Sequence, residues 1–561
     1  MKRQLLTLGL LVLASLPLRA QQDDVETRAM RDEMQRSMKQ LHLEAMDGPY
    51  YIAYKIVDSD RKEAAASFGS LTSSGETRSR VLSVSVHVGS YDLDNSNASG
   101  AGGGLAALLG SLGAGANVLP LDDNYDELRR KIWLATDAAY KKAVEDLSAK
   151  KASLESKGRS SETVPDFSKE PPRQESESLP PIDEKLSDAE QLVRAASAAF
   201  RTLPLVESSE AQFEIDNVTE HFLNSEGTAY VRQTPGLYFH TSASMQNTTG
   251  EMFNDSYSVY GRSLSDLPAQ PKLMEQTQAV VDRLSARRKG KVARHYSGPV
   301  LLEGDAAAEL FAHNFASHLG AHSSGGGGIE SQLSAILGLG GGSGNANGAL
   351  LNKVGSRVLP DFLTVVDDPQ LTQLDGHTLF GNYKFDEEGV PSRETVVVKD
   401  GILKTLLTSR TPARGMLQST GNMRGRGVLP GNVVVDVARS STQDELRKQL
   451  VDLIGARGLE YGYILRRLSG NAALEAIRVY PDGHEDTVRD ARIAEITVNS
   501  FKDILAASRD RTVYTERAGG LAASDLVTYV VPDLLFEDMT VEHVPNDTPK
   551  LPAIPSPLAL N

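Results

Sequence analysis

The chain has 561 residues, 40% of them hydrophobic and 24% charged, so it can fill two or three domains with core and is neither fibrous nor compositionally disordered. Its formal net charge of −15 disfavours phosphate backbones and anionic membrane surfaces, which sets nucleic-acid binding aside. Cysteine is absent, and with it go disulfides, a thiol nucleophile and any thiolate metal ligand.

Residues 1–20 predict a signal peptide. Lys2 and Arg3 make a positive start, "LLTLGLLVLASL" is a short apolar run, and "PLRA" precedes "QQDD". The run is too short for a membrane span, and no other stretch approaches the roughly 20 apolar residues that a spanning helix needs. Cleavage would export the chain to a periplasm or the extracellular space. It would also remove three positive charges, Lys2, Arg3 and Arg19, taking −15 to −18.

An N-terminal α/β domain is expected over 21–298. Met30, Met34, Met38 and Leu41 recur at helical spacing within 24–43. "PYYIAYKIVDSD" (49–60) reads as a strand. "VLSVSVHV" (81–88) alternates, with Leu82, Val84, Val86 and Val88 on one face and the serines and His87 on the other, so His87 is expected to face solvent. A glycine-rich loop follows at 98–117. Leu128, Ile132, Ala135, Ala139, Ala143 and Leu147 form the buried stripe of a helix over 125–154. Residues 155–186, rich in Ser, Glu, Lys and Pro, read as a solvated polar linker or insertion. A helix at 187–201, strands over 212–246 around the turn "NSEG" (224–227) and a helix near 269–289 complete the domain.

A β-rich C-terminal domain is expected over 299–545. It opens with a strand running into a helix, "SGPVLLEGDAAAELFAHNF", with Asp305 as N-cap. Glycine runs at 325–328 and 338–348 imply a loop. Short strands alternate with turns such as "KDG" (399–401) and "PDG" (481–483), and a helix at 443–454 starts with a capping box of Thr442 and Glu445. Five prolines from 545 to 557 mark a loose tail, 546–561. The fold class is therefore α+β.

No nucleophile elbow, phosphate loop or dinucleotide turn is present. The acid pairs Asp367-Asp368 and Glu387-Glu388 read as solvated turns. The informative stretch is "EGDAAAELFAHNFASHLGAHSSGGGG" (303–328), which holds His313, His318 and His322. At about 100° per residue, Phe311, Phe315 and Leu319 share one helix face, and His318 lies close to it. His313 lies roughly 140° away from His318, so the two converge only if the helix widens into a π-type turn or frays near Gly320. Spacing leaves two readings open: a metal site, or a buried His318 with two surface histidines.

"HNFASHLG" after a strand–helix stretch resembles the TldD/PmbA family of zinc-peptidase-like proteins, whose signature there is H-E-x-x-x-H. Further landmarks in the family's order are "NSEG" (224–227), "LPDFLTVVDDP" (359–369), "DEEGVPSRETVVVKDGILKTLLTSR" (386–410), "STGNMRG" (419–425), "GLEYGYI" (458–464), "TVRDARIAEITVNSFKDIL" (487–505) and "VVPDLLFEDMTV" (530–541). They span most of 210–541, and "KIWLATDAAYKKA" resembles the exported branch. The resemblance implies an α/β N-terminal and a β-rich C-terminal domain, a homodimer or a heterodimer with a related subunit, and action on extended or unfolded peptides. In active members it implies zinc held by two histidines and a cysteine, with the glutamate as base. His313 and His318 then match the histidine ligands, and Asn314 stands at the glutamate position. The cysteine is missing, with His322 or a C-terminal carboxylate as the available substitutes.

Three functions follow as expectations. The first is an exported peptide-binding homologue that is catalytically inactive and pairs with itself or an active relative. The second is a working zinc metallopeptidase with an unconventional third ligand. The third is a non-enzymatic, β-rich surface-binding protein.

Overall fold

The computed structural model describes residues 24–96, 118–157, 164–321 and 349–543, apart from 45, 204, 247–249, 426, 495 and 518–525, together with Ile554, Ser556 and Pro557. The expected signal peptide, all of the 98–117 loop, His322, the glycine runs and nearly all of the tail lie outside the described residues.

A first, seven-stranded sheet is built on two long hairpins. β1 (Pro49–Ser67) and β2 (Ser70–Ser90) turn at Phe68 and Gly69, both at positive φ. β3 (Gln174–Ser178), β4 (Val206–Asn224), β5 (Ala229–Gln246) and β6 (Met252–Gly261) follow, with the order β2-β1-β4-β5 and with β3 and β6 sharing the outer edge of β5. The turn between β4 and β5 is the expected "NSEG", where the Asn224 side chain accepts from the amides of Glu226 and Thr228. Alternation then sorts the two faces. Ile52, Tyr54, Leu82 and Val86 face α1 (Val25–Gln40) and α2 (Tyr125–Lys157), meeting Met30, Leu128 and Ile132. The same face carries α3 (Leu186–Ala198) and α4 (Gln270–Lys289) farther along.

Residues 164–186 are part of this fold and not a solvated linker. Phe167 is buried against Tyr51, β3 adds in parallel to β5, and Ile182 enters the helix-side core. The polar sequence "QESES" reflects an edge position: its backbone is paired while its side chains stay in water.

The second sheet has twelve strands, and its middle runs β9-β8-β10-β14-β7-β11-β12. Here β7 is Tyr296–Leu302, β8 Leu363–Asp367, β9 Thr395–Lys399, β10 Asn432–Val437, β11 Gly462–Ser469 and β12 Ala472–Val479. β13 (Ile504–Arg517) pairs with the long central β14 (Leu526–His543). α5 (Asp305–Asn314) covers one face through Leu310 and Phe311, which join Val300 and Leu302 of β7. α6 (Gln443–Ala456) covers the other, placing Leu446 and Leu450 on Leu301 and Ile464, and the expected Thr442–Glu445 capping box opens it. The architecture is α+β with a β-rich C-terminal part, as the sequence indicates. The N-cap of α5 is Gly304 at φ 60, not Asp305; its amide donates to Asp533 at 2.7 Å, while Asp305 pairs with Arg467.

The helix-free face of the first sheet packs on loops of the C-terminal domain, and this cover corrects several solvent-facing assignments. His87 lies between Phe167 and Tyr51, with ring centroids at 4.4 and 5.2 Å. Glu387 pairs with Lys55, Glu388 accepts the Arg410 amide, and Asp367 is fully buried, accepting from Asn422 and Gly431. Burial pushes the Asp367 carboxyl up to about 7, against the opposing pull of those donors. Arg410 is wholly buried at the same contact, ion-paired with Glu226 at 2.7 Å and donating to it from Nη2 at 2.9 Å, bonded to the Ser168 carbonyl and stacked on Phe167 at 4.1 Å.

Two stability outcomes follow. Arg410→Ala strands Glu226 without its counter-ion in a dry contact, so urea unfolding should show a loss of about 3–5 kcal/mol. At the start of α1, Asp24 caps the Thr27 amide and pairs with His221 at 3.1 Å. Burial alone would raise the Asp24 carboxyl, but the His221 hydrogen bond and charge outweigh it and bring it to about 2. Burial likewise opposes the His221 imidazole, yet Asp24 lifts it above its ordinary 6.5. The Asp24 contribution is present above its ordinary 3.8 and is lost as pH falls toward 2; the His221 contribution is present below 6.5 and is lost as pH rises through the raised value. The melting-temperature gap between wild type and His221→Ala should therefore be widest near pH 5 and narrow on either side.

Candidate functional site

α5 carries the histidine stretch from the sheet to the surface. Ala306 to Ala308 and Leu310 to Ala312 are buried, and His313 emerges from the last turn. Its Nε2 lies 2.8 Å from Glu516 Oε2, at the end of β13, and Glu309, one turn earlier, lies 4.0 Å from Nδ1. The Glu516 hydrogen bond, against burial and with the charges of Glu516 and Glu309, raises the His313 pKa. Burial raises the Glu309 carboxyl, which accepts the Gly470 amide at 2.9 Å.

Asn314 folds its amide back to donate to the Leu310 carbonyl at 3.3 Å. Phe315 leaves helical geometry at φ −122, ψ −58, and Ala316–His318 form a 3₁₀ turn. The chain thus tightens where convergence of the two histidines called for widening. Phe311, Phe315 and Phe501 stack to hold this turn, and Gly320 is pinned by a bridge to Leu407. His318 is half-buried beyond the turn.

Among the described residues, which do not include His322, the donor set as arranged does not fit zinc. One His313 nitrogen is engaged by a carboxylate, the Asn314 amide is spent on the helix end, and among the described residues no three His, Asp or Glu side chains converge as a metal cage. What the structure does assemble is His313 with Glu309 and Glu516. Glu309 has a sequence signal, since residues four apart share a helix face. Glu516 has none, because it arrives from 203 residues away.

Both carboxylates open onto a cleft of about 730 Å³ between the two sheets, lined also by Asp305, Tyr257, Tyr260 and Tyr514. Its N-terminal wall is β6, and among the described residues the outer edge of β6 pairs with no strand. The carbonyls of Asn254 and Ser256 on that edge accept from Arg287 and Arg467. By alternation the backbone groups of Ser258 and Tyr260 point the same way, into the cleft.

Residues 296–543 match the family described as PmbA/TldA metallopeptidase C-terminal domain. A metalloprotease of Archaeoglobus fulgidus is 32% identical over 168 residues, which are 24% of this chain and 38% of that protein. Metalloprotease PmbA of Escherichia coli O157:H7 is 29% identical over 187 residues, 33% of this chain and 35% of its own length. These matches span little more than a third of each curated relative. The crystal structure of TldE from Thermococcus kodakarensis shares the fold over 92% of this chain and 100% of its own, with a TM-score of 0.55 at 13% identity. Residues 296–543 thus carry the sequence signature of the PmbA/TldA C-terminal domain, and the fold of the TldE structure is shared along most of the chain.

Proposed function

We propose that the protein is an exported member of this family that binds extended or unfolded peptides in the cleft and does not hydrolyse them through a metal-bound water. The free edge of β6 facing a cleft beside His313 carries this reading. An extended peptide can add to such an edge as a further strand, drawing affinity from main-chain hydrogen bonds to Ser258 and Tyr260 whatever its sequence. Glu309, Glu516 and Asp305 on the opposite wall, against Arg467 and His313, leave this part of the cleft acidic.

Two features support the inactive reading. An amide at position 314 can orient water but cannot take its proton, and loss of a general base alone costs about 10²–10⁴-fold in rate. With no cysteine in the chain, the third ligand of active relatives has no counterpart here. The protein pairs with itself or with an active relative, and only the latter complex would supply whatever cleavage accompanies binding.

A fluorescein-labelled unstructured peptide should bind the mature protein, and Ser258→Pro should weaken binding roughly tenfold, since it removes one outward amide where an edge strand tolerates proline. Equal affinity in that variant would refute strand addition. Metal analysis should find no stoichiometric zinc, and Asn314→Glu should remain inactive against the same peptide. Stoichiometric zinc lost in His313→Ala, or metal-dependent cleavage by Asn314→Glu, would reverse the inactive reading.

A further inference from the structure

We propose that Ser85, His87 and Asp94 form a second, separate site: a Ser-His-Asp triad on the first sheet whose serine takes the acyl group of small activated esters. Ser85 and His87 are two apart on β2 and so share a face. Ser85 Oγ lies 3.1 Å from His87 Nε2, and His87 Nδ1 lies 2.7 Å from Asp94 Oδ2. These are the contacts, on the correct ring nitrogens, of a nucleophile, its base and the group that orients the base.

Asp94 is fully buried and held from several sides. The Tyr50 hydroxyl donates to Oδ2 at 2.7 Å, and the Ser96 amide and hydroxyl donate to Oδ1. Burial would raise its carboxyl, but the His87 hydrogen bond and charge, together with these donors, hold it below the ordinary value. An ionised carboxylate can only accept, so the shared hydrogen sits on Nδ1, leaving the Nε2 lone pair to the Ser85 hydroxyl. Phe167 and Tyr51 pack the imidazole in place, while Ser85 stays exposed. On the outer edge of β2 the Arg80 carbonyl accepts from Leu119, and Val86 and Val88 bond Asn95. Alternation puts the Val84 amide on that same edge, one residue from the nucleophile, where a developing oxyanion needs a donor.

In the reaction, Ser85 Oγ attacks the ester carbonyl carbon and its proton passes to Nε2 of His87. The bond to the leaving alcohol breaks as His87 returns that proton to the departing oxygen. Water, deprotonated by His87, then cleaves the acyl-serine, releasing the carboxylic acid and restoring the hydroxyl. Ser85 and His87 are the catalytic residues; Asp94 is a positioning residue. An exposed serine on an open strand suits a small ester with a good leaving group. A purely structural role would use the same hydrogen bonds without nucleophilicity.

The test treats intact mature protein with a fluorophosphonate and, separately, with p-nitrophenyl acetate. One phosphonyl adduct should map to Ser85, disappear in Ser85→Ala and form at least tenfold more slowly in His87→Gln. Asp94→Asn should slow it and displace its pH profile, while thermal melts of Ser85→Ala match wild type. No adduct, an adduct elsewhere that survives Ser85→Ala, or undiminished labelling of His87→Gln would each overturn the triad. None of these outcomes touches the peptide cleft, which lies on different residues.

Discussion

Everything proposed for the cleft depends on how the two sheets are held against each other, and a buried guanidinium is one of the groups that hold them. Arg410 comes from the C-terminal half, yet its partners Glu226 and Ser168 and its stacking surface, Phe167 and Tyr51, all belong to the first sheet and its edge segment. A planar fork with five donors can satisfy a carboxylate and a carbonyl at once, which an ammonium cannot do in the same plane. Arg232 repeats the theme nearby, joining Glu220 to the Phe385 carbonyl, and Arg262 reaches Asn382 and the Phe380 carbonyl. Polar contacts of this kind fix orientation more strictly than an apolar face, because each misplacement leaves a buried charge unpaired.

That geometry explains what the sequence disclosed and what it withheld. Periodicity located the helices at 125–157 and 270–289, and alternation found the apolar face of β2, because those elements bury a stripe against neighbours close in sequence. The polar face was misread for the opposite reason. His87, Glu387, Glu388 and residues 164–186 look solvated in isolation, and their partners lie elsewhere along the chain: Phe167 for His87, Lys55 for Glu387, Arg410 for Glu388 and the β5 edge for residues 174–178. At the candidate site, His313 and Asn314 were legible from motif position. Glu516 was not, since a single glutamate on an unremarkable strand carries no local mark of its partner.

The histidine stretch is tied down by contacts among the described residues. The end of α5 is held by a carboxylate–imidazole pair, by aromatic packing of Phe311, Phe315 and Phe501, and by the bridge from Gly320 to Leu407. Each is weaker than a coordinate bond, but together they fix the end of α5 against β13. Asn314 suits this arrangement: its amide can donate to the Leu310 carbonyl in the last turn of α5, a donation that an ionised glutamate side chain cannot make.

The same substitution bears on what the cleft can do. Hydrolysis requires a base poised over a water and an electrophile to hold the developing charge, both aimed at one carbonyl. The groups assembled beside this cleft are instead an imidazole already hydrogen-bonded to a carboxylate and a second carboxylate whose burial favours its neutral form. They can line a groove and tolerate a peptide backbone laid along an unpaired strand edge, which asks only for outward amides and carbonyls at regular spacing. Binding without cleavage, as proposed for this end of the cleft, asks nothing further of these residues.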